Sequence, residues 1–86
     1  MKHEDLKSGD IVIFKRYSDT LEEETFQDGN VIGVYPEIKE VDIVWLEGYK
    51  SKSDSVKYEK VIAKYDKNGK HMKFGIYSGN SVLLDN

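Results

Sequence analysis

The chain has 86 residues, 38% of them hydrophobic and 34% charged, with no cysteine, which limits it to one domain with one modest core and excludes disulfides and thiolate metal sites. Aromatic residues make up 12%, six of them tyrosine, a share that disordered polar sequences lack. No apolar run approaches the ~18–20 residues of a membrane span and residues 1–10 hold no signal-type hydrophobic segment, so the expectation is a soluble, cytoplasmic, single domain over residues 1–86. The net charge of −3 is split: residues 1–48 carry five Lys/Arg against twelve Asp/Glu, and residues 49–86 carry eight lysines against four acids. Such a split marks a polyanion-binding face beside an acidic one, unless strands from the two halves interleave and the signs mix.

The elements in chain order are those of a β protein. Ser8, Gly9 and Asp10 supply turn chemistry before the β-branched run 11–14, the first predicted strand. Residues 17–30 are polar and acidic, with Glu22, Glu23 and Glu24 at their centre, and read as a long loop; residues 21–26 have the composition for one helical turn but not the length for a stable helix. Residues 31–35 form the second predicted strand, ended by Pro36, which cannot donate to a ladder. Residues 41–46 form the third, with Val41, Ile43 and Trp45 sharing a face. Residues 50–60 are mostly Ser and Lys. Residues 61–65 are the fourth predicted strand, and Asn68-Gly69 is a hairpin signal, because a type I′ turn needs φ > 0 twice. Met72, Phe74 and Ile76 alternate with polar residues as a half-buried strand, and residues 81–85 supply a last short one. The predicted interior gathers Ile11, Ile13, Ile43, Trp45, Val61 and Phe74. Six strands with evenly spaced turns and no helical stripe indicate an all-β sandwich or small barrel.

Gly9, Asp10 and Val12 match the "G-D-x-V" that opens the first strand of small barrels of the SH3-like group, in particular its KOW and Tudor-type members. Residues 29–34 with their two glycines, 41–46 and 58–65 fall where that group has its second, third and closing strands, so the chain resembles it over residues 6–65. The resemblance implies a small SH3-like barrel of about five strands, with residues 66–86 as an added C-terminal hairpin. The chain lacks the paired tryptophans of signalling SH3 domains and the basic loops usual in KOW domains. What the resemblance implies is therefore a binding module, with nothing narrower about its ligand.

The residue patterns of catalysis are missing from the sequence. No serine sits in G-x-S-x-G, the seven glycines are scattered rather than grouped around a phosphate, and an 86-residue core seldom builds a cleft. No enzyme activity, cofactor or small-molecule substrate is expected. His3 and His71 are the histidines, neither paired at i, i+4; Glu22–Glu24 are consecutive side chains that do not converge on one ion, so no metal is expected. Two binding surfaces compete. The first is basic and aromatic: Lys50, Lys52, Lys57, Tyr58, Lys60, Lys64, Tyr65 and Lys73, with Lys67, Lys70 and Tyr77 nearby. Ammonium groups there would meet phosphates and the rings of Tyr58 and Tyr65 would stack on bases, which suits nucleic acid or a nucleic-acid-associated protein. All eight cations of this half are lysine, so backbone contact is expected over base reading. The bland alternative is a solvated lysine face that keeps edge strands apart. The second surface is the acidic loop of Asp19, Glu22, Glu23, Glu24 and Asp28 with Phe26 as an apolar anchor, suited to docking on a basic protein. Convergence of Tyr17, Tyr35, Trp45 and Tyr49 would instead make an aromatic cage for a methylated lysine, set against a plain core role for Trp45.

Overall fold

The computed structural model describes residues 1–65, 70–71, 77–78 and 81–85. After a short 3₁₀ turn at His3–Asp5 come β1 (Ile11–Ser18), β2 (Glu23–Tyr35), β3 (Glu40–Glu47) and β4 (Lys50–Lys57), then a second 3₁₀ turn at Tyr58–Lys60, β5 (Val61–Tyr65), β6 (Lys70–His71), β7 (Tyr77–Ser78) and β8 (Ser81–Leu83). The protein is all-β. Six antiparallel strands form one open sheet in the order β4-β3-β2-β1-β5-β8, and β6 pairs with β7 apart from it. The C-terminal residues thus add β8 to the main sheet, whereas the expected Asn68-Gly69 turn and the alternation of Met72, Phe74 and Ile76 lie outside the described residues.

One face of the sheet is dry. Val12 and Phe14 of β1, Val31 of β2, Val41 and Ile43 of β3, Val56 of β4 and Val61 of β5 are buried together with Leu6 and Tyr58; Val34, Trp45 and Leu84 pack against them. Val41, Ile43 and Val61 take the inward positions that alternation predicts. In β1 the phase is the reverse of the expected one: Val12 and Phe14 point inward, and Ile11 and Ile13 are half-buried on the other face. Four consecutive apolar residues carry no period of their own, so the phase is set by what lies opposite. Val12 faces Gly29, where an added Cβ would strike Ile43 Cγ2 and come within 2.9 Å of Phe14 Cε1. Only a glycine lets the Phe14 ring and Ile43 close over β2 there.

Two register shifts bend the sheet. One falls between Val31 and Gly33 against β3, and turns Ile32 out to solvent; the other falls between Ile13 and Phe14 against β5. A bulge lets a strand change which parity faces the core, so Val31 and Val34 both pack inward despite their odd spacing. The N-terminal segment closes one side: His3 is buried, its Nε2–H donates to the Val61 carbonyl at 2.7 Å, and its ring stacks on Tyr58 at 5.2 Å.

Candidate functional site

Residues 17–30 are a hairpin and not the long loop expected. β1 and β2 pair from Ile11↔Asn30 to Ser18↔Glu23 without a break, across a turn at residues 19–22 in which Glu22 takes φ 55° and the Leu21 N–H donates to Ser18 Oγ at 3.3 Å. The helical turn considered for residues 21–26 is likewise replaced by strand. β5 pairs with β1 only at Val12–Phe14, and β3 pairs with β2 only from Asn30 onward. Residues 15–18 and 23–26 therefore form a two-stranded arm beyond the six-stranded part, paired only with each other among the described residues.

The arm has two unlike faces. On the inner face Arg16 lies 5.6 Å from the Trp45 ring centre, makes an ion pair with Glu47, and donates from Nη1 to the Tyr17 carbonyl at 3.3 Å. Trp45 in turn meets Phe14 edge-on at 5.3 Å. These contacts attach the arm to the core, and they line a groove of about 370 Å³ whose other wall is Asp54–Lys57 of β4 with Lys60. On the outer face Tyr17 is 58% and Phe26 66% exposed, and they are diagonal neighbours because Lys15 pairs with Phe26 and Tyr17 with Glu24. Glu23 and Glu24 alternate to opposite faces, so the three consecutive glutamates do not gather.

The charge split of the sequence closes in space. Lys57 meets Glu40 at 3.7 Å, Lys60 meets Glu24 at 2.6 Å, and Lys64 meets Asp10 at 3.3 Å, each joining a cation of the second half to an acid of the first. The Lys60 hydrogen bond and charge hold the Glu24 carboxyl below its ordinary range, and the same contact raises Lys60. The Tyr65 hydroxyl donates to Asp28 at 3.2 Å; burial first, then the Asp28 charge and that bond, push its phenol up.

The expected basic-aromatic surface is thus dispersed. Tyr58 is only 5% exposed, its ring stacked on His3 and its phenol raised by burial, then by the charges of Glu4 and Glu37, so it offers solvent no stacking face. Tyr65 is half-buried at Asp28, and Lys64 is 13% exposed beside Asp10. Lys50 and Lys52 stand exposed on the Trp45 side of β4, whereas Lys57 lies on the opposite side beside Glu40. Lys67 and Lys73 lie outside the described residues. In the acidic set, Asp19, Glu22, Glu23 and Phe26 face solvent, while Glu24 and Asp28 are engaged by Lys60 and Tyr65.

The four-ring aromatic cage does not assemble: Tyr17 and Trp45 line the same groove, but Tyr35 stands apart from them. Tyr35 sits opposite Glu40 at the start of β3, donating to Asp42 at 3.1 Å, and Trp45 lies five residues along the same strand, roughly 17 Å away at ~3.4 Å per residue. Sequence reasoning missed β4 altogether, because Ser and Lys are poor strand formers; the turn at Gly48 (φ 63°), a glycine at the first position of a two-residue hairpin, was its one local signal. No family model, curated protein or solved structure matches this chain.

Proposed function

We propose that the chain is a non-enzymatic binding module built on an SH3-like barrel, and that it docks a basic protein surface through the β1–β2 arm. The four-strand meander, the 3₁₀ turn after β4 and the return of β5 to β1 support the barrel reading. One observation carries the docking reading: Tyr17 and Phe26 share the outer face of an arm whose tip exposes Asp19, Glu22 and Glu23, with Lys15 opposite Phe26 and Lys60 on Glu24 nearer its base. Exposed rings beside an acidic tip are a protein-interaction surface, in which the rings supply buried area and the acids select the partner.

A lysine-rich peptide containing one large apolar residue is the probe. Titrated against the isotope-labelled protein, it shifts the amides of residues 15–18 and 23–26, and Phe26→Ala weakens it by tenfold or more, about 1.4 kcal/mol. Shifts elsewhere, or an unchanged affinity in Phe26→Ala, would end this reading.

A second reading rests on Lys50 and Lys52, adjacent on one side of β4 and outside any ion pair among the described residues. They support attachment to nucleic acid or to a nucleic-acid-associated protein. Oligonucleotide binding that falls by orders of magnitude between low and physiological salt, and that Lys50→Glu with Lys52→Glu removes, is its expected signature; no binding at low salt rejects it.

A further inference from the structure

β4 is an outermost strand of the main sheet, and among the described residues nothing pairs with its far side. Seven of its eight residues are exposed, Val56 alone being buried. The Ser55 N–H donates to Asp54 Oδ1 at 2.8 Å and not to β3. Main-chain groups alternate in direction along an antiparallel strand, so Ser51, Ser53, Ser55 and Lys57 aim their N–H and C=O outward while Lys50, Lys52, Asp54 and Val56 bond to β3. An unpaired edge is a template for another strand unless proline, a bulge or charge blocks it. β4 has no proline and no register shift against β3. Its guards are the charges of its lysines and Asp54, so where they fall decides what the edge accepts.

Two antiparallel edges join only through outward-facing residues, which limits self-pairing to registers that oppose Ser51, Ser53, Ser55 and Lys57 to one another. Centred on Ser53, such a pairing places Ser53 opposite Ser53, Ser51 opposite Ser55, Lys50 opposite Val56 and Lys52 opposite Asp54, the last three occurring twice by symmetry. Moving the centre to Lys52 or to Asp54 sets like charges face to face, which is unfavourable. A centre on Ser51 opposes Lys50 to Lys52, and a centre on Ser55 opposes no charges at all, so Ser53 is the centre that sets unlike charges face to face with no like pair. We propose that the chain forms a twofold-symmetric dimer by pairing β4 with β4 of a second copy, centred on Ser53.

The three serine pairings supply about six main-chain hydrogen bonds. On association the Ser55 N–H exchanges its own neighbour's carboxylate for the Ser51 carbonyl of the second copy. The released Asp54 carboxylate turns to the second copy's Lys52. Serine side chains on the outer face leave the approach open, and the contact is isologous, so it closes at two chains.

Sedimentation over a concentration series tests the dimer. The wild-type chain associates reversibly to two copies. Lys52→Asp and Asp54→Lys each create two like-charged pairs and raise the dimer Kd by about tenfold or more. Combining the two restores the alternation of sign and returns the Kd to within roughly threefold of wild type. Ser53→Pro, which removes an outward N–H and leaves the β3 ladder whole, gives a folded monomer by circular dichroism. A wild-type chain that stays monomeric at its highest soluble concentration overturns the proposal. So does association that ignores the single reversals, or a double exchange that fails to recover it.

Discussion

The β1–β2 and β3–β4 hairpins are ladders of equal length, eight opposed pairs each, yet they meet solvent in opposite ways. The first is anchored inside the sheet and its arm presents side chains: Tyr17 and Phe26 outward, with Lys15 opposite Phe26 and acids at the tip. The second ends the sheet and presents main chain, dressed in serines and lysines. Side chains select a partner by its chemistry, whereas a bare edge selects by geometry and by the order of charges along it. Two kinds of exposed surface thus come from one repeated element, and the difference is where the partner strand stops.

The largest effect that would break this comparison lies where both hairpins meet the core. Phe14→Ala empties the space beneath Trp45 and Gly29 and lowers unfolding free energy by about 3–5 kcal/mol in urea denaturation, whereas Phe26→Ala on the outer face changes it by roughly 0.5 kcal/mol or less. Equal losses would mean that the arm's outer face is part of the core. Next is Gly29→Ala, whose Cβ meets Ile43, Phe14 and, at 3.2 Å, the Val44 carbonyl; overpacking there lowers stability by about 1–3 kcal/mol, and Gly48→Ala at the open β3–β4 turn, strained by its positive φ but meeting no atom, is the contrast.

Alkaline pH sharpens the comparison further. Tyr58 and Tyr65 have phenols raised in the folded chain, so the unfolded chain releases those protons first. The stability they contribute is whole below about pH 10 and declines as pH rises through their folded values. Tyr65→Phe removes one share of that decline, measured as a shallower loss of stability above pH 10. The smallest effect is at the acid end. Glu24 is lowered by Lys60, so its contribution is present above the ordinary glutamate value and is lost as pH falls through the folded one. Glu24→Gln flattens that part of the stability profile, and salt flattens it in the wild type.

Much of the sheet was legible where side chains have a core to face. Val41, Ile43 and Trp45 alternate because β3 has one dry side, and the strand was read with nearly its full bounds. The arm was not legible, since residues 23–28 pack little on either face and their alternation of Thr25 and Gln27 with Phe26 and Asp28 looks like polar loop. β4 was hidden for the same reason. The ion pairs were unreadable because their partners are brought together by sheet order: Asp10 and Lys64 meet only because β5 returns to β1. Phe26 and the acids of residues 19–28 stand out from composition as candidates, and the structure adds that Glu24 and Asp28 are engaged by Lys60 and Tyr65. Tyr58 shows the converse error, a ring assigned to solvent that the buried His3 claims.

β1 owes its central place to neighbours of very different origin. β2 follows it after four residues, while Lys64 reaches Val12 from roughly fifty residues away. Both hairpins can zip by local loop closure within microseconds, but the β1–β5 seam must wait for a distant encounter, at an entropic penalty the hairpins do not face. The His3 bond to Val61 and the Lys64 bridge to Asp10 lie along that seam. They act on the slow step of folding, and until it is complete the growing sheet has a second raw border at β1.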